Sequence, residues 1–331
     1  MRRLAWLTVA VALGAPSFSW AQTPVTTEKL KVVIGYQPLT PTWGATIVTG
    51  AKLWKPYLPN LEVERFDAMS GMPLVNNMLA QKIDIAYLGD MPAIVLASKS
   101  AMEDTRFIAL TDADHGGASV IYVAKDSGYR TVRDLDRRVM SITFGSYTHR
   151  FAEFIEAAEK LKFKYTGQLP EVGLTSLQTG KVDGWSPWPP YGPIAQARGL
   201  ARPIVDGTKY HFDSLRGIVV TKTFLSAHPE VVIGWLRAEL DAHRIMRERQ
   251  EEAAKIIYED WRRFDVPLDV IKLDFVYKVF PDDISSEWRK VLVDGAAFLL
   301  GHKFIEHLPD FNNVIDDSWL KKAASVRSAL E

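Results

Sequence analysis

Apolar and polar positions follow two alternating rhythms along this chain. Short β-branched runs that read as strands, Leu30–Gly35, Leu61–Phe66 and Ile83–Gly89, are separated by stretches with helical spacing, Ala45–Leu53, Pro73–Gln81 and Pro92–Ser98. Pro92 stands in the first turn of its segment, where a missing N–H costs little. The unit then recurs: Ser119–Val123 and Val139–Thr143 read as strands, and Thr131–Leu135 as a short helix. Ser146–Lys160 reads as a longer helix with Phe151, Phe154, Ile155, Ala158 and Leu161 on one face. After a Trp/Pro-rich stretch at 185–191 a strand returns at Gly217–Thr221. From Pro229 the pattern is mostly helical, and the charged run Arg244–Glu252 is expected to be a solvated helix face. Strands alternating with helices predict α/β architecture with mainly parallel sheets flanked by helices, and two successive units predict two lobes.

The 331 residues exceed the roughly 250–300 at which one core stops growing, which agrees with two lobes. Residues 1–21 have a basic start (Arg2, Arg3), an apolar run shorter than the ~18–20 residues of a membrane-spanning helix, and small residues before a cut after Ala21. That pattern predicts a secretory signal peptide, with a soluble mature chain from about Gln22 in a bacterial periplasm. The absence of cysteine excludes a lipid-modified cysteine anchor, a disulfide framework, thiolate metal ligands and a cysteine nucleophile. With 40 Lys+Arg against 40 Asp+Glu there is no basic footprint for nucleic acid. Removing Arg2 and Arg3 leaves the balance slightly acidic. No H-E-x-x-H, G-x-S-x-G, Walker or G-x-G-x-x-G motif occurs, and the His302/His307 pair has poor ligand spacing. No catalytic residue, metal ligand or cofactor is expected.

Sheets of this kind hold ligands at the carboxyl ends of their strands, where loops open helix N-termini that favour anions. The first such loop, 36–44, offers Gln37 and Trp43; the next two offer Ser70 at 69–71, then Gly89 and Asp90 at 89–92. In the second unit, 144–150 offers Ser146, Tyr147 and His149 around Gly145, which permits a tight turn. The segment 180–191 offers Asp183, Trp185 and Trp188 among three prolines, a rigid aromatic wall with few rotors to freeze. Each has a simpler alternative: Gln37 and Trp43 as strand-end cover, Asp90 and Ser146 as caps, His149 as a solvent-facing ring, and Trp185 or Trp188 as core.

The set Val33–Pro38, Gln81–Asp90, Phe144–His149, Gly180–Trp185 with Trp188, and Val219–Phe224 followed by His228–Val232 resembles periplasmic solute-binding proteins of the nitrate/sulfonate/taurine import group, above all the taurine and aliphatic-sulfonate branch. The resemblance runs in order through nearly the whole chain after residue 21. It implies a two-lobed periplasmic binding protein of type II with its ligand in the interlobe cleft, handing a small anionic solute to the membrane permease and ATPase of an ABC importer. It implies a lobe of residues 30–122 and 217–331, a second lobe of 123–216, and paired hinge strands near 119–124 and 217–221. A monomer is expected. Where similar proteins are expected to carry an acid for taurine's amine, this chain has Leu215-Arg216-Gly217, and a cleft-facing Arg216 favours a sulfonate, sulfate ester or carboxylate without an amine. Asp90 or Asp183 remains available to an amine. The alternatives are a binder of a thiamin pyrimidine precursor or other aromatic cation, and a receptor feeding a membrane sensor. An enzyme reading rests on fold relatives in pyrimidine synthesis that use a cysteine-rich motif, and the absence of cysteine counts against it.

Overall fold

The computed structural model describes residues 29–39, 42–99 and 104–331. The expected signal peptide lies outside them.

The first sheet begins with β1 (Leu30–Tyr36), α1 (Trp43–Gly50), β2 (Leu61–Asp67), α2 (Gly71–Leu79), β3 (Ile85–Gly89), α3 (Asp90–Lys99) and β4 (Thr105–Asp114). The chain then builds a second sheet from β5 (Val120–Ala124), β6 (Val139–Ile142), α4 (Tyr147–Glu159), β7 (Lys164–Gly167), α5 (Pro170–Gln178), β8 (Gly184–Trp185), α6 (Tyr191–Ala197) and β9 (Ala201–Asp206). It returns through β10 (Ser214–Thr221), α7 (Lys222–Ala227), α8 (Pro229–Glu248), α9 (Gln250–Trp261), α10 (Leu268–Asp274), β11 (Lys278–Val279), α11 (Ser286–Gly301), α12 (Phe311–Val314) and α13 (Ser318–Ala324).

Strand order is β11-β4-β10-β3-β1-β2 in the first sheet and β7-β6-β8-β5-β9 in the second. Each keeps a parallel core, β2-β1-β3 and β7-β6-β8, as βαβ connections require. Antiparallel strands extend both, because β10 and β5 enter from the opposite direction after the chain changes lobe. The sheets are therefore mixed. Apolar clusters cover the faces of the first sheet (Ile34, Trp43 and Trp235 in one, Leu88, Phe107 and Leu299 in another), and Phe151 and Trp185 anchor those of the second.

The lobe crossings differ from expectation. β5 and β10 do not pair; they belong to different sheets, and the chain crosses at residues 115–119 and 207–213. The Gly207 N–H reaches both Gly116 O (3.1 Å) and Ser119 O (2.9 Å), so the crossings are bonded to each other. Gly116 sits at φ +97°, and a Cβ there would lie 2.3 Å from the Gly207 carbonyl carbon. The glycines, and not the strands beyond them, mark the boundary.

The charged run 244–252 is also not one helix face. It spans the end of α8 and the start of α9, broken at Arg249 (φ −135°, ψ 53°), and Ile245 and Met246 within it are core. Among the described residues no helix is long and apolar enough to cross a membrane.

Candidate functional site

A cavity of about 460 Å³ lies between the two lobes, within the usual range for small-molecule sites. From the first lobe it is lined by Gln37 beyond β1, Ser70 to Met72 at the start of α2, and Gly89 to Pro92 at the start of α3. The second lobe supplies Thr143 to Tyr147 at the start of α4, Leu169 before α5, and Trp188 and Pro189 beyond β8. Leu215 and Arg216 of β10 close its back, and Leu299 and Phe304 at the end of α11 complete one wall.

Three helix starts converge here. Ser70 makes no side-chain cap and no acid occupies the first turn of α2, so its first N–H groups keep their positive end uncompensated. At α4 the Ser146 hydroxyl accepts from His149 N (3.4 Å) and donates to Thr143 O (2.6 Å). At α3 Asp90 Oδ1 accepts from Met91 N (2.7 Å), while Oδ2 has no hydrogen-bond partner and stands 3.8 Å from Arg150 of α4. Burial pushes the Asp90 carboxyl above its usual range, partly offset by Arg150. Asp90 thus both holds a first-turn N–H of its helix and brings a carboxylate oxygen to the cavity floor.

Arg216 lines the cavity but is not an unneutralised cation. Its Nε bonds Asp112 Oδ1 (2.5 Å), Nη2 bonds Asp114 Oδ2 (2.9 Å) and Nη1 reaches Ser214 (3.2 Å). Lys278 bonds the same Asp112 oxygen. Burial works against the guanidinium charge, but the two carboxylates outweigh it and raise its pKa. The expected repulsion of an amine by Arg216 is therefore largely cancelled.

Apart from Lys99 at the end of α3, the rest of the lining among the described residues is mainly apolar: Met72, Met91, Val95, Phe144, Leu169, Leu299 and Phe304 surround the polar helix starts. The indole N–H of Trp188, itself 7% exposed, is buried with no partner.

Of the twelve residues singled out in the sequence, Gln37, Ser70, Gly89, Asp90, Ser146, Tyr147, Trp188 and Arg216 meet at this cavity. Trp43 does not: it is core, 4.3 Å from Phe275, in the apolar cluster where α1 packs against α8 and α9. Trp185 packs in the second-lobe core against Tyr122 and α5. Asp183 is occupied by the Tyr129 hydroxyl (2.5 Å) and Val139 N (3.0 Å), which leaves Asp90 as the acid that lines the cavity among the described residues. His149 points behind the cavity wall, ringed by Phe144, Phe298, His302 and Phe304 and not by solvent. Leu299 and Phe304 carry no local signal in the sequence, since only the docking of α11 brings them here.

No family model matches the chain. It is 27% identical over 275 residues to a Bacillus subtilis protein named as an aliphatic sulfonates-binding protein, covering 81% of this chain and 80% of that one. An Escherichia coli protein of the same name is 23% identical over 262 residues, 78% of this chain and 79% of its own. Among solved structures, the periplasmic aliphatic sulphonate binding protein SsuA of Escherichia coli superposes with a TM-score of 0.72 at 19% identity, covering 86% of this chain and 92% of its own. SsuA of Xanthomonas axonopodis pv. citri bound to MOPS gives 0.73 at 17%, with coverages of 86% and 98%. A cysteine-to-serine mutant of DszB in complex with biphenyl-2-sulfinic acid gives 0.71 at 15%, with coverages of 90% and 99%. The chain has the periplasmic binding protein fold, and that fold also serves enzymes.

Proposed function

We propose that this chain is the periplasmic substrate-binding component of an ABC importer and binds a small organic sulfonate between its lobes, without turning it over. The observation that carries the reading is the pairing of three converging helix starts with an apolar wall in one interlobe cavity. An anionic head group suits the N–H groups and helix dipoles, and an aliphatic or aromatic body suits Met72, Phe144, Leu169 and Phe304. The partnerless Trp188 indole supplies a further donor for a sulfonate oxygen. The names of the two curated relatives and of the SsuA structures support the same solute class. The lobes close about the crossings at 115–119 and 207–213, and the closed form is what a permease with its ATPase would receive.

A second reading is favoured by Asp90, whose Oδ2 is paired with Arg150 at 3.8 Å but accepts no hydrogen bond and so could receive one from an amine. It makes the solute an aminosulfonate. An enzymatic role like that of the sulfinate-binding neighbour finds less support, because this chain has no cysteine to match the one replaced in that structure.

Isothermal titration of ligand-stripped protein against alkanesulfonates, arylsulfonates, aminosulfonates and sulfate esters tests the proposal. At least one sulfonate should bind well below 100 µM. Binding no tighter than ~100 µM across the panel, or about −5.5 kcal/mol, would overturn it.

A further inference from the structure

His149 and Glu153 lie one turn apart on α4 in the second lobe, and His302 caps the end of α11 in the first. Glu153 Oε1 is 3.2 Å from His149 Nε2, and its Oε2 is 2.9 Å from His302 Nε2. Candidate ligand atoms from all three lie within 4.8 Å of one another. We propose that these residues bind a divalent transition-metal ion, best matched by zinc, and that the ion ties the two lobes together beside the cleft.

Two imidazoles and a carboxylate form a donor set that suits zinc, and three protein ligands leave a fourth position for water. Ligands at about 2.0–2.2 Å in tetrahedral array stand about 3.3 Å apart, so the present N···O separations need little adjustment. Phe144, Phe298 and Phe304 pack edge-on around His149 and fix its ring. The Glu153 and His302 side chains remain 31% and 36% exposed, which leaves a path of entry. In the metal-free arrangement His149 Nδ1 accepts from Gly145 N at 3.3 Å. Coordination through Nε2 moves the imidazole proton to Nδ1 and gives up that long contact. Phe144 and Phe304 also line the cavity, so the ion would sit directly behind its wall. Helix periodicity brings only two of the ligands together; the third comes from the opposite lobe.

Titration of the chain with Co²⁺, followed by displacement with Zn²⁺, tests the site. The wild type should take one equivalent with the visible absorption of four-coordinate cobalt. Glu153→Gln and His302→Ala, both at partly exposed positions, should each weaken uptake by about tenfold or more. Their melting curves in EDTA should match the wild type. His115→Ala alters the more exposed cluster with Asp213 and Glu287 and should leave uptake unchanged. Wild-type uptake no tighter than that of the variants overturns the site, as does its loss in His115→Ala. Loss in Glu153→Gln with His302→Ala unaffected confines the ion to one lobe and overturns the tie.

Discussion

Trp185 and Trp188 are three residues apart, alike in sequence and opposite in use. Trp185 is 1% exposed, and a Cβ on Gly173 would come within 2.6 Å of its ring, so Trp185→Ala should cost about 3–5 kcal/mol in urea denaturation. Trp188→Phe keeps a ring in the cavity wall and removes only the N–H. It should leave the urea midpoint nearly unchanged and weaken sulfonate binding by about 1.5–3 kcal/mol in isothermal titration. Equal affinity for both proteins would remove the indole donor from the site. Asp112 is the hub of the buried ion cluster, serving Arg216 and Lys278 together. Asp112→Asn deprives Arg216 and Lys278 of their shared carboxylate and should destabilise by about 3–5 kcal/mol, read as a lower urea midpoint at neutral pH. Arg216 lines the cavity, but no local pattern in the sequence reveals that its charge is neutralised there. The two neutralising acids lie on β4, a strand whose pairing with β10 spans about a hundred residues and leaves no local trace.

α8 shows the same limit on a whole element. Its apolar spacing marks it as a helix, but nothing local reveals that Glu239 and His243 are fully buried within it. Glu239 accepts from the Tyr87 hydroxyl (2.7 Å), which in turn accepts from the Trp235 indole (2.8 Å). His243 bonds Asp282 at 2.8 Å. Burial alone would lower the His243 pKa, yet the hydrogen bond to Asp282 and the Glu239 carboxylate 3.6 Å away outweigh it and raise it to about 9 from 6.5. A raised folded pKa means that this stabilisation is complete below pH 6.5 and is lost as pH rises through 9. Urea midpoints should fall across that window, and His243→Gln should flatten the fall. Asp274 at the end of α10 is pushed up to about 6 from 3.8, mainly by burial, so its contribution is lost earlier, as pH rises from 3.8 through 6. The helix starts that build the cavity, by contrast, were legible, because Ser70, Asp90 and Ser146 each follow a strand and precede a helical rhythm. Periodicity reports neighbours along one element; burial depends on what the rest of the chain lays over it.

For the whole molecule, the order of elements sufficed to foresee two lobes, while the position of their boundary depended on glycines whose turns pattern alone does not locate. Gly116→Ala forces a side chain against Gly207 at positive φ, and should destabilise by more than about 1 kcal/mol as well as weaken ligand binding, since both crossings shift together. Loss of stability with affinity intact would separate the crossings from closure. The hydrogen bonds from Gly207 to Gly116 and Ser119 have a mechanical corollary. Two connecting segments pinned side by side resist shear and torsion between the bodies they join and leave bending as the soft mode. The relative placement of the lobes then reduces to one angle. A single pair of dyes on introduced cysteines, in a chain that has none of its own, would follow the entire transition as a one-dimensional trace.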